Sequence, residues 1–133
     1  MKLLVAFGTD DGENLTDTHF GQSAHFDLYE VTPEGSTFVE RRENAKYEED
    51  ESLLHGDPGK ARSVMSVLGG VQAAVGKRFG PNLTRMIKKI ACVVVRVDTV
   101  AEALKLVEAN LETVVAEYEK GEARRHVVLK PED

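Results

Sequence analysis

The chain has 133 residues, a formal net charge of −6, and 41% hydrophobic and 30% charged residues. That length suits one domain burying roughly two-thirds of its unfolded surface, and the composition is that of neither a disordered nor a membrane chain. The acidic balance disfavours non-specific nucleic-acid binding, where counterion release rewards clustered Lys and Arg, and one cysteine excludes an internal disulfide.

Residues 3–8 (LLVAFG) form a short apolar run stopped by Gly8, the pattern of a strand buried on both faces. The run is too short to cross a bilayer and lacks a signal-peptide cleavage pattern, so a cytoplasmic protein without membrane association is expected. A polar loop over 9–24 carries Asp10-Asp11-Gly12 and His19-Phe20-Gly21. Residues 25–31 (HFDLYEV) alternate as a strand, Thr32-Pro33-Glu34-Gly35 is turn chemistry, and 36–42 return as the hairpin partner. The polar stretch 43–55, with an acidic run over 48–51, reads as a solvated loop.

Asp57-Pro58 is a helix start, and Ala61, Val64, Met65 and Leu68 then repeat on one buried face before Gly69-Gly70. Residues 71–75 are a second apolar strand. Pro81 opens a helix buried through Leu83, Met86, Ile87 and Ile90, and 91–97 (ACVVVRV) are the strongest strand pattern. Thr99 and Glu102 form a capping box, its cap worth about 1 kcal/mol. It predicts one long helix, buried from Val100 through Leu111 to Tyr118 and ended by Gly121. Residues 126–130 read as an edge strand or an arm. The division is therefore a single α/β domain over 1–121 and a C-terminal arm or edge strand over 122–133.

The first three strands predict an antiparallel meander, and the later strand–helix–strand units predict parallel pairing with right-handed crossovers. One sheet edge then collects the 9–24 loop, His25, the polar loop with His55, residues 76–82 and Asp98-Thr99. All three helix N-termini face it, and open α/β sheets bind ligands beyond the carboxyl ends of their strands. Those N-termini suit an anion, with Lys77 and Arg78 nearby. His19, His25 and His55 map to this edge as candidate metal ligands, since neutral imidazole can be supplied singly from separate loops. Taken singly, each reads as a solvated histidine; their convergence favours the ligand reading for His19 and His55, while His25 also reads as one that caps or packs at its strand. Cys92 begins a rising strand at the far end and reads as a core thiol. Without it there is no cysteine-rich iron–sulfur or zinc pattern, so a bound cluster would be under-ligated, which suits a carrier.

The N-terminal strand leading into Asp10-Asp11-Gly12, then His19-Phe20-Gly21 and residues 26–31, resembles the dinitrogenase iron–molybdenum cofactor biosynthesis family. Asn44, His55-Gly56 and Gly80-Pro81-Asn82 extend the resemblance over roughly residues 1–110. It implies a three-layer α/β/α, ribonuclease-H-like fold with a five-stranded mixed sheet. It also implies a protein that binds or carries an iron–molybdenum or iron–sulfur cluster, or a precursor, transiently during cofactor assembly. Its partners would be cluster donor or acceptor proteins. The residues implicated in holding the cofactor are His19, Phe20, Gly21, Gly80, Pro81 and Asn82. The stretch past Gly121 departs from the minimal family domain.

Two other readings stand beside this one. Asp10, Asp11, Asp57 and Asp98 map to the same edge and could serve metal-dependent phosphoryl transfer or nuclease chemistry. Each also has an ordinary turn or capping role, and a non-enzymatic protein is expected. The other alternative is an interaction domain that forms a homodimer through its third strand or its C-terminal arm.

Overall fold

β1 (Leu3–Thr9) lies inside the sheet of a computed structural model that describes residues 1–45 and 56–132. Its side chains alternate between two cores: Leu3, Val5 and Phe7 enter one, Ala6 the other. Both faces are covered, which is why the run is apolar without interruption. β2 (His25–Thr32) pairs antiparallel with β1, from Leu3 opposite Val31 to Thr9 opposite His25. β3 (Gly35–Glu43) returns beside β2, with a bulge at Leu28/Tyr29. On the other side of β1, β4 (Ala73–Gly76) and β5 (Ala91–Val95) run parallel to it.

Among the described residues the sheet has six strands in the order β3-β2-β1-β4-β5-β6, against the five that the resemblance implies. The addition is β6 (Val127–Leu129), parallel to β5 with Val127 opposite Val93. Its alternation is the reason it docks: Val127 and Leu129 are buried and Val128 faces out. Arg124 anchors the approach, donating from Nε to the Tyr118 carbonyl (2.8 Å) and from Nη1 to the Ile87 carbonyl (3.2 Å).

Among the described residues, α1 (Pro58–Val67) and α2 (Leu83–Met86) pack on the face of Ala6, Ala74 and Cys92. α3 (Val100–Ala109) and α4 (Leu111–Tyr118) pack on the opposite face, over Phe7, Val75 and Val93. The sheet is thus mixed and carries helices on both sides. α3 and α4 replace the single long helix expected from the sequence. Asn110 leaves helical geometry (φ −121°, ψ 24°), and its Nδ2 donates to the Leu106 carbonyl at 2.8 Å, offering the backbone a side-chain partner at the break. α2 is also shorter than its periodicity suggests: Gly80–Asn82 form a 3₁₀ turn ahead of it, and past Met86 the chain continues as a turn, with the Lys89 and Ile90 N–H groups both on the Met86 carbonyl. Met86 and Ile90 are buried all the same. Both predicted N-caps form: Thr99 Oγ1 accepts from the Glu102 N–H (3.1 Å) and Asp57 Oδ1 from the Gly59 N–H (2.8 Å). No helix of the described residues is long and apolar enough to cross a membrane.

Candidate functional site

The carboxyl ends of β1, β4 and β5 lie along one edge, together with the start of β2. The loop after β1 is fixed there by its own carboxylates. Asp11 Oδ1 accepts from the backbone N–H groups of Glu13 and Asn14, both at 2.8 Å, and these bonds lower its pKa to about 2. Asp10 Oδ1 accepts from the Ala24 N–H at 2.8 Å, closing the loop's far end. The loop is also sewn to the start of α3. Leu15 N–H donates to the Asp98 carbonyl and Val100 N–H to the Glu13 carbonyl, both at 2.8 Å.

Those bonds change the expected electrostatics. The first turn of α3 already has protein partners at Val100 and Glu102, so it does not present an open anion site. Lys77 is likewise committed, to Asp17 at 2.7 Å and Asp98 at 2.9 Å, and the two carboxylates raise its pKa.

The His19-Phe20-Gly21 segment is positioned by its middle residue. Phe20 is buried between Phe26 (centroids 4.8 Å apart) and Phe79 (5.1 Å), with near-parallel rings. The ring needs Gly8 and Gly76 beneath it, since a Cβ at either would approach its Cδ1 to 3.0 and 3.3 Å. Its N–H donates to the Arg78 carbonyl at 2.7 Å, tying the segment to the loop after β4. Asn44 holds the other end, donating from Nδ2 to the Gly21 and Ser23 carbonyls, both at 2.8 Å. With Phe20 directed inward, the preceding His19 is left at the surface, half-buried against Gly80.

A cleft opens beside this histidine. One wall is His19, Gly21 and Gln22, the other Phe79, Pro81 and Asn82, with Lys60 of α1 between them. The cleft is partly open, with space of about 20 Å3, room for one small group at its floor. Asn82 is buried, its Oδ1 accepting from Arg85 Nη1 at 2.9 Å, while Gly56 (φ +83°) packs on it so closely that a Cβ there would come within 2.5 Å of Oδ1. The fold therefore brings together His19, Phe20, Gly21, Gly80, Pro81 and Asn82.

It does not bring His25 to them. Phe26 faces the α1/α2 core with Phe20, so strand alternation turns His25 to the α3/α4 side, the side on which Asp27 bonds Arg41 at 2.7 Å. His25 Nε2 is buried there with no hydrogen-bond partner among the described residues. His55 and the acidic run 48–51 lie outside the described residues. Cys92 is level with Ala74 and Ala6 in mid-sheet, higher than its place at the start of the strand suggests, and fully buried. Burial pushes its thiol up to about 12, which removes it as a thiolate donor. The four edge aspartates serve separate structural bonds, and no three His, Cys, Asp or Glu side chains of the described residues are grouped to hold a metal ion.

Gln22, Lys60 and Phe79 are the cleft residues that sequence reading missed. The signal for Lys60 was its place four residues before Val64, on the buried face of α1.

Residues 1–110 match the family described as Dinitrogenase iron-molybdenum cofactor. The chain is also 32% identical over 107 residues to Protein NifX of Azotobacter vinelandii, a span covering 80% of this chain and 64% of that protein. The chain thus spans less than two-thirds of that relative's length.

Proposed function

The chain belongs to the dinitrogenase iron-molybdenum cofactor family, and from that membership and the His19 cleft we propose that it binds an iron–molybdenum or iron–sulfur cluster, or a precursor, as cargo. The observation that carries the reading is the placement of His19: an imidazole at the carboxyl edge of the sheet, on a segment anchored by a buried aromatic stack. Nδ1 is turned to Gly80, leaving Nε2 as the nitrogen farther from the backbone and the one to meet a metal.

The fit is that of a carrier. One imidazole is a weak hold on a metallocluster, the buried Cys92 thiol adds none, and the small cleft admits an edge of the cargo and leaves its bulk outside. An exposed, under-ligated cargo passes readily to an acceptor protein, so the partners are a cluster donor and a cluster acceptor, met in the cytoplasm without turnover. His55, which precedes Gly56 in the chain, is the second imidazole the sequence offers. We read the strand order β3-β2-β1-β4-β5 as a ribonuclease-H-like motif within three α/β/α layers, with β6 appended.

The test is anaerobic mixing of the purified protein with a synthetic cubane iron–sulfur cluster and with isolated iron–molybdenum cofactor. Visible absorption of a protein-bound species is expected, reduced in His19→Ala. No spectral change with any of these species would sink the proposal.

A further inference from the structure

Lys60 is the cation that lines the His19 cleft. It is 8% exposed, yet it makes no hydrogen bond or ion pair with any described residue. It occupies the third position of α1, four residues before Val64, which lays its stem along the buried face of the helix. Its Cε lies 3.9 Å from where a Cβ on Gly21 would be, so the side chain runs directly under the His19-Phe20-Gly21 segment.

The neighbouring cations are engaged elsewhere: Lys77 bridges Asp17 and Asp98, and Arg85 donates to Asn82. Asp57, the acid in the same helical turn, turns Oδ1 to the Gly59 N–H as the helix cap. Its charge meets no counter-charge among the described residues, and the positive end of α1 adds to its field. A small, partly enclosed space lined by such a group is complementary to negative charge.

We propose that Lys60 is the charge-recognition residue of this cleft, selecting an anionic occupant and pairing with it through its ammonium. The cleft's space of about 20 Å3 admits one sulfide, oxo or phosphate-oxygen edge of such a ligand. The proposal rests on the cluster-binding reading for the identity of the cargo, and on Lys60 itself for the sign of its charge. It makes Lys60 the discriminator between anionic clusters and cationic aqua metal ions, which imidazole alone does not provide.

The test uses inorganic phosphate as a probe of the anion site without any metal. In an amide NMR titration, with chloride at matched ionic strength as control, the Gly21, Lys60 and Asn82 resonances are expected to shift saturably. Lys60→Arg should retain the response. Lys60→Met, which keeps an unbranched apolar stem, should weaken it at least about tenfold. Lys60→Gln serves in its place if thermal melting shows that the methionine variant is unfolded. Equal phosphate affinity in wild type and the uncharged variants, or no saturable shift in wild type, overturns the proposal. A second arm titrates wild type and Lys60→Met with a dianionic synthetic cubane cluster, where the variant should lose uptake by a similar factor. Phosphate binding through Lys60 with no cluster uptake would sustain the anion site and reject the cluster as its cargo.

Discussion

The imidazole of His19 lies against the α-carbon of Gly80, where a Cβ would stand 2.5 Å from Nδ1 and 2.6 Å from Cε1. Gly80 also holds φ +72°, a left-handed conformation that glycine adopts without steric cost. Gly80→Ala therefore meets two separate penalties, a strained backbone and a collision with the ring. The expected loss is about 1–3 kcal/mol, together with a displaced His19 and weaker cluster uptake. In a double-mutant cycle by urea unfolding, His19→Ala should recover the collision part of that loss and leave the backbone part.

Phe20 is the structural half of the same segment. Replacing it with alanine removes a ring stacked on Phe26 and Phe79, and should cost about 3–5 kcal/mol. His19→Ala should stay within about 0.5 kcal/mol of wild type, as surface substitutions usually do. Thermal melts of the two variants separate the anchor from the ligand. A large loss for His19→Ala would show that the imidazole is itself part of the packing.

Asn44 ties β3 to the His19 segment through two hydrogen bonds. Asn44→Ala should destabilise by about 1–3 kcal/mol by leaving those carbonyls without their donor. Asn44→Asp should be worse, because it points a carboxylate at two carbonyl oxygens. Hydrogen exchange at Ser23 and at Asn44 itself, whose amides bond Phe20 and Ala24, reports the local loosening in each variant.

Asp11 supplies a pH dependence with a definite sign. Its carboxylate is held at about 2, below the ordinary 3.8, first by the Asn14 backbone N–H, then by the Asn14 side chain and the Glu13 N–H. A depressed carboxylate stabilises the fold fully above its unfolded value, and that contribution is lost as pH falls from about 3.8 through about 2. Carboxyl NMR titration should place Asp11 near 2, and Asn14→Ala should raise it. A midpoint near 3.8 in the wild type would refute the hydrogen-bonded loop.

Cys92 should behave as a core residue. With its thiol pushed up to about 12 and no exposure, it should resist a thiol reagent at pH 8 in the native protein and react fully in denaturant. Cys92→Ala should leave cluster uptake unchanged. Loss of uptake in a folded Cys92→Ala protein would return the thiol to the ligand set.

Local features could be read from the chain because neighbouring side chains decide them. The unbroken apolar run of β1, the Thr99–Glu102 box and the Asp57 cap all work within a few residues, and all formed. Asn110 defeated the helical periodicity from Val100 to Tyr118, since a side chain bonding Leu106 interrupts a helix without breaking its apolar spacing. The gathering of His19 with Gly80 and Asn82 followed from strand direction. Its separation from His25 follows from the alternation of β2, but only the packing of Phe26 on Phe20 shows which face each side takes.

By itself, the sequence determined the α/β class, the meander, the parallel crossovers and the edge at which a site could form. Only the tertiary structure decided that the first turn of α3 bonds the 9–24 loop, that Lys77 is paired with Asp17 and Asp98, and that Lys60 lies in the cleft beside His19. Each of those outcomes depends on groups far apart in the chain: Glu13 on Val100, Asp17 and Asp98 on Lys77, Gly21 above Lys60. Charge availability is a property of such contacts. A lysine in the sequence carries its charge everywhere, but burial and pairing decide whether that charge can reach a ligand.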